Sequence, residues 1–397
     1  MIRVFLIILC FSFSHWTFAH GRVYNAVPSD SRAIEFPDTK DHKTMVVDLH
    51  THSVFSDGHV WPSVRVAEAQ FDGLDAVAIT EHLEYQPHQK QIPHEDRNTP
   101  YQEAFDAALG SDLFVINGVE ITRKDPMGHM NAIFVTDANP LVRVPESYND
   151  VTRADLAQLA EEAVNAANEQ GAFVFWNHAW ASSDLPSGRP RMTDFHGALV
   201  KRNELHGIEI ANGKTYNEEA HAIALKHDLV LIGTSDVHDL IDWDYEPHKG
   251  GHRPVTLVLT EERSLASLKE ALFAGRTAVW IQNTLIAREA QMQQLLEACL
   301  TVDEVVMVTG REMVAVTLTN HSDVDFRLRH TSTKLQSFST QADLIDVPPH
   351  ESLQIYLKPK KLKGAIKLEF EVLNALIAPN KHPSIKLERE VSSAPQD

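Results

Sequence analysis

The stretch Val46-Val47-Asp48-Leu49-His50-Thr51-His52, followed by Ser56-Asp57-Gly58, decides how the chain is to be read. Its first half is apolar and β-branched, as a buried strand should be. It then ends in two histidines spaced by two. On an extended backbone, side chains two apart point to one face, so both imidazoles suit a single metal ion. The same passage from apolar body to polar end recurs downstream. Ile79-Thr80-Glu81-His82, Gly118-Val119-Glu120, Phe175-Trp176-Asn177-His178 and Gly233-Thr234-Ser235-Asp236-Val237-His238 each finish a strand-like run. His129 stands just before Met130-Asn131-Ala132-Ile133-Phe134. A lone histidine at a strand end is ordinarily just polar. Recurrence is what a purely structural reading leaves unexplained, because the C-terminal ends of parallel barrel strands share one mouth.

Working outward, strand-like runs fall at 44–49, 76–80, 114–120, 131–135, 172–176, 207–210, 230–234 and 255–259. Helical spacing fills several gaps, at 62–70, 101–109, 153–170, 217–227 and 265–273. Pro62 marks a helix start and Gly171 a helix end. Strand then helix, repeated, predicts a parallel α/β barrel or doubly wound sheet. After Cys299 the character changes. A linking helix at 291–298 gives way to runs at 304–309, 313–319, 326–329, 353–357 and 365–370, which read as antiparallel strands with polar turns. They predict a small all-β, sandwich-like domain. The expected division is a barrel over 41–298, a sandwich over 301–378 and a flexible tail over 379–397.

Composition narrows the function. The 397 residues carry 36 Lys+Arg against 55 Asp+Glu, a net charge of −19, which argues against a scaffold that embraces nucleic-acid phosphates. Two cysteines exclude a disulfide framework and a Cys-rich zinc module. Residues 1–19 read as a signal peptide: Arg3, then an apolar run to Phe13, then Thr17-Phe18-Ala19 before a cut at His20. The protein is therefore expected to be periplasmic or secreted. No second apolar run is long enough for a membrane helix.

Taken together, Asp48-Leu49-His50-Thr51-His52…Ser56-Asp57-Gly58, Thr80-Glu81-His82, Gly118-Val119-Glu120 and Ser235-Asp236-Val237-His238 resemble the polymerase-and-histidinol-phosphatase (PHP) superfamily of metal-dependent phosphoesterases. The likeness covers roughly residues 44–283, with the motifs in family order. It implies a distorted (β/α)7 barrel with up to three metals at its C-terminal mouth. By that resemblance, His50, His52, Glu120 and Asp236 hold a first metal. Glu120 bridges to a second, completed by His129 and His178. Asp57, His82 and His238 hold a third. Trp176-Asn177-His178-Ala179 departs from the family's usual Ala-His-Pro.

Two to three divalent ions on histidine and carboxylate, without thiolate, suit Zn, Mn or Fe, and ligand type does not choose among them. Such ions neutralise phosphoryl oxygens and acidify water. The leading reading is a secreted phosphomonoesterase acting on a small phosphorylated substrate through a di- or trinuclear site. His129, His178 and Asp57 are the candidate catalytic residues, and the sequence leaves open which group protonates the leaving oxygen. A phosphodiesterase is the close alternative. A metal-binding, non-catalytic module that engages a cell-surface partner is the other. Arg97, Arg123, Lys124 and Lys214 are the cations nearest the expected mouth, and residues 83–100 form a candidate lid loop.

Overall fold

The computed structural model describes residues 32–123, 127–144, 152–181, 188–332, 335–338, 343–359 and 364–392. The expected signal peptide and Lys124 lie outside them.

The barrel begins with β1 (Lys43–Asp48), β2 (Ala76–His82) and β3 (Phe114–Ile121), which run parallel. The crossovers are α1 (Pro62–Phe71) and α2 (Thr99–Ala108), each with proline in the first turn, where a missing N–H costs nothing. β4 (Met130–Ile133) runs antiparallel to β3 and to β5 (Phe173–Trp176). This corrects the parallel reading of that segment. The link over 122–129 is shorter than the dozen or so residues that a parallel crossover needs.

The chain returns through α3 (Arg153–Glu169), whose first turn is closed by a capping box between Thr152 and Asp155. α4 (Asp194–Lys201) leads to β6 (Gly207–Asn212), which pairs parallel with β5 and carries the short β7 (Thr215–Tyr216). α5 (Glu218–His227) then leads to β8 (Val230–Thr234), parallel to β6. Past the short α6 (Ile241–Asp244) comes β9 (Val255–Thr260), and past α7 (Leu265–Phe273) comes β10 (Thr277–Ile281). β9 lies antiparallel to both β1 and β10, a second departure from the all-parallel reading. β10 and β11 (Thr284–Ala287) form a hairpin over Gln282 and Asn283, both at positive φ, the backbone a tight hairpin turn requires.

The sheet curls back on itself at the end that carries the motifs. The Asp236 N–H donates to the His50 carbonyl at 2.9 Å, and the His52 N–H to that of Val237 at 3.1 Å. The Thr80 N–H donates to the Thr51 carbonyl from the other side. The continuation of β1 is thus held between those of β2 and β8. Lower down, the Thr256 hydroxyl bonds both the N–H and the carbonyl of Gly233. A Cβ at Gly233 would lie 2.2 Å from Val279, so only glycine lets β8 approach β10 this closely. The interior is filled by Met45, Val47, Leu49, Phe173, Phe175, Ile232 and Val258.

α8 (Glu289–Cys299) leads into the all-β part: β12 (Leu300–Met307), β13 (Val314–Asn320), β14 (Phe326–His330), β15 (Leu335–Phe338), β16 (Leu344–Val347), β17 (Ser352–Pro359) and β18 (Ala365–Val372). Then come β19 (Ala375–Leu376) and β20 (Ser384–Glu390). Two sheets form, in the orders β12-β13-β17-β15 and β16-β14-β18-β20. The expected flexible tail is corrected here. β20 pairs along its whole length with β18, with Ile385 and Leu387 turned into the core. β19 leaves the sandwich and pairs parallel with β11 in the barrel's sheet. One apolar cluster runs from Val46 and Leu257 through Leu295 and Cys299 to Val316, Phe326 and Phe370, so barrel and sandwich share a core.

Candidate metal centre

The nine residues singled out in the sequence meet at the mouth. His50 and His52 follow β1, His82 ends β2, Glu120 lies in β3, and His129 precedes β4. His178 follows β5, and Asp236 and His238 follow β8. Asp57 comes from the loop between β1 and α1. His178 and Asp236 have φ of +22° and +51°, a region that costs non-glycine residues energy and here aims both side chains inward.

Three compact groups of donor atoms result: His50, His52 and Asp236; His82, Glu120 and His129; His52, Asp57, His82 and His238. In the first, the two Nε2 atoms are 3.0 Å apart, and Asp236 Oδ1 is 3.2 and 3.1 Å from them. In the second, Glu120 faces His129 Nδ1 at 2.9 Å and His82 Nδ1 at 2.6 Å. In the third, Asp57 Oδ1 is 3.1 Å from His238 Nε2 and 3.4 Å from His82 Nε2. His178 stands beside these groups, its Nε2 3.4 Å from Glu120 and 3.8 Å from Asp236. Glu120, fully buried, also lies 3.8 Å from His50 and 3.5 Å from His52, so it reaches a histidine of every group.

This donor set fits divalent cations. Asp57 Oδ1, Glu120 Oε2 and Asp236 Oδ1 are buried and make no hydrogen bond, although imidazole nitrogens crowd each of them. Ligand atoms about 2.1 Å from a tetrahedral ion sit about 3.4 Å apart, close to the separations seen here.

Imidazoles and carboxylates at the mouth shift one another's protonation. Burial opposes charge throughout, but the carboxylates Asp236, Glu209 and Glu120 hold His50 well above the ordinary imidazole range. Against the same burial, Glu120 and Asp57 push His82 up to about 11. Burial, with His82 close by, pushes His52 down to about 3. Against burial, Asp57 is held below the usual carboxylate range by His238 and His82, and Asp236 by His50 and His52. Glu120 is held far below by His82, His129 and His50, again in spite of burial. A cation binding here must displace these protons.

Several residues that the sequence reading passed over orient the donors. Glu209 is fully buried in β6. Its Oε1 accepts from His50 Nδ1 at 2.8 Å and from the Thr234 hydroxyl, and its Oε2 from the His178 N–H at 2.6 Å. A carboxylate behind a ligating imidazole fixes its tautomer and raises its basicity. The available signal was one acid inside an apolar strand, Gly207-Ile208-Glu209-Ile210. Arg65, also fully buried, donates to the carbonyls of His52 and His238, both at 2.8 Å. Asn177, where the family has a small residue, donates to Glu120 Oε1 at 2.9 Å and to Asn131.

The cations separate. Arg123 is buried and committed to Glu84 and to the carbonyls of Thr122 and Arg143. Arg97 is half-buried beside His94 Nε2 at 3.3 Å and pairs with no carboxylate among the described residues. The His94 ring packs edge-on against Phe55, next to Ser56 and Asp57. Lys214 lies on the turn after β6, near Asp244.

Fold and site define a two-part protein. An α/β barrel gathers histidine and carboxylate to hold divalent cations, and a sandwich is fused to it through α8 and the β11–β19 pairing. The model of a family described as an Ig-like domain matches residues 300–388. A solved structure from Bacteroides vulgatus, a two-domain protein containing a predicted PHP-like metal-dependent phosphoesterase, is 36% identical, with a TM-score of 0.79. The likeness covers 90% of this chain and 98% of that one. An uncharacterized protein of Methanocaldococcus jannaschii is 35% identical over 82 residues, which is 21% of this chain and 36% of that protein. The chain thus spans about a third of the length of that curated relative. This chain belongs to the family of two-domain, PHP-like metal-dependent phosphoesterases. Among the described residues, no helix is long and apolar enough to cross a membrane.

Proposed function

We propose that this chain is an exported phosphomonoesterase, with its catalytic unit over 41–298. The observation that carries the reading is the convergence of three buried, unbonded carboxylate oxygens with imidazole nitrogens at one barrel mouth. His50, His52, Glu120 and Asp236 would hold one ion, Glu120, His129 and His178 a second, and Asp57, His82 and His238 a third. Nitrogen and oxygen donors without thiolate suit Zn, Mn or Fe. Bound there, divalent ions neutralise phosphoryl charge and lower the pKa of water toward 7.

The chain's own residues supply the rest. Asp57, His129 and His238 are the most exposed members of the cluster, at 25%, 29% and 33% of their side chains, and mark the side from which substrate enters. His129, which turns Nδ1 to Glu120, is the more open of the two histidines placed to give a proton to the leaving oxygen. His178, more enclosed, is the alternative donor. Arg97 has a guanidinium available for a phosphoryl oxygen. Glu209 and Arg65 keep the donors aligned without touching substrate.

The test is to strip the protein of metal, refill it separately with Mn, Zn or Fe(II), and assay a mono- and a diester of p-nitrophenol. Turnover that follows metal and favours the monoester is the expected result. Preference for the diester would reassign the subclass. Full occupancy with no turnover on either ester would leave a binding module.

A further inference from the structure

Of the three histidines His50, His52 and His238, two commit Nδ1 to a group that can only accept. His50 uses Glu209, and His238 uses the Asp236 carbonyl at 2.8 Å. Neither partner can donate, so each ring, when neutral, carries its proton on Nδ1 and keeps a lone pair on Nε2. His52 differs. Its Nδ1 faces a hydroxyl, Ser56 Oγ, at 3.2 Å, and a hydroxyl can either give or take a proton. Ser56 alone therefore leaves the tautomer of His52 undetermined.

Glu81 removes the choice. Its side chain is buried under the loop that follows β1 and accepts from the Ser53 N–H at 3.1 Å. It also accepts from the hydroxyls of Ser53 and Ser56. A carboxylate in this setting only accepts, so the single Ser56 proton points to Glu81 and the Ser56 lone pair points to His52. We infer that Ser56 and Glu81 form a one-way relay that fixes His52 with its proton on Nδ1, presenting the Nε2 lone pair to the space shared with His50 and Asp236. Both are positioning residues. The inference deepens the metal reading of this site and rests on it for its purpose. It also gives each residue of Ser56-Asp57-Gly58 a task. Ser56 sets the tautomer, and Asp57 faces His82 and His238. Gly58 lets the loop fold over β1, since a Cβ there would lie 2.8 Å from the His52 carbonyl group and the Ser53 nitrogen.

The experiment is long-range proton–nitrogen NMR correlation of the imidazole rings in the metal-free full chain, with His52 assigned by its loss in His52→Gln. Zn(II) affinity is measured alongside by competition with a chelator. The wild type should show His52 protonated on Nδ1. Ser56→Ala should abolish that preference and weaken Zn(II) binding about 10- to 100-fold. Ser56→Thr, which keeps the hydroxyl, should restore both. A wild-type His52 protonated on Nε2, or a Ser56→Ala chain with unchanged tautomer, would overturn the relay. Unchanged Zn(II) affinity in Ser56→Ala would also overturn it. A wild type that holds the Nδ1 tautomer, loses it in Ser56→Ala and takes up no Zn(II) would uphold the relay and count against the metal reading instead.

Discussion

Beyond residue 300, the buried polar side chains among the described residues are Asn320 and Ser322, whereas the barrel mouth encloses Asp48, His50, His52, Ser56, Glu81, Glu120, Glu209 and Arg253. Asn320 is fully satisfied. It donates to the carbonyls of Val324, Val347 and Pro348 and accepts from the Ser322 N–H and hydroxyl. The mouth instead keeps carboxylate oxygens that no hydrogen bond reaches. Burying polar groups without partners costs free energy, and burying charge costs more. The sandwich is thus built as a structural element should be, and the mouth as a cation site would be. The shared apolar cluster and the β11–β19 pairing bind the two.

That contrast can be broken by exchanging the expected effects. The largest should come from His52→Ala. Metal ions supply several kcal/mol of transition-state stabilisation, so losing a ligand should cut turnover about 1000-fold or more. The thermal unfolding of the metal-free chain should change little, since a crowded polar group has been removed. Phe370→Ala is the mirror case. Phe370 is fully buried in the sandwich, and its truncation should cost about 3–5 kcal/mol in urea unfolding while leaving turnover per folded molecule unchanged. If turnover falls in step, the sandwich does more than support.

Acid should strike the barrel first. Burial holds His196, stacked on Trp176 and bonded to the Met127 carbonyl, down at about 4, against 6.5 when unfolded. Between those values the unfolded chain binds more protons. The contribution of neutral His196 is therefore complete above about 6.5 and is lost as pH falls toward 4, at most about 3 kcal/mol. Site-resolved hydrogen exchange should show protection falling around α4 before β13 or β18. The smallest effect sharpens the account inside the mouth. Glu209→Gln should weaken Zn(II) binding about 10- to 100-fold without removing a ligand. An unchanged affinity would reduce Glu209 to a core polar residue.

Much of this was legible because local rules act within a few residues. Apolar strand bodies announced the barrel, and the period-two pairs His50/His52 and Asp236/His238 announced their shared mouth. Strand direction was less legible. β4 reads like its parallel neighbours, and only the length of 122–129 betrays the reversal. β20 reads as tail because Ser384–Glu390 offers just Ile385 and Leu387 to a core, and β18 supplies the rest. Glu209, Arg65 and Glu81 escaped for a different reason. Each acts on a partner remote in sequence: Glu209 on His50, Arg65 on His238, Glu81 on Ser56. Nothing in local spacing encodes such pairings.

The central claim is that the mouth is a cation site, and metal content per chain by elemental analysis tests it most directly, on protein purified from its native compartment and again after refilling with Mn, Zn or Fe(II). The account predicts two to three ions per chain in the wild type and fewer in His52→Ala. Less than one ion per wild-type chain after refilling would contradict it.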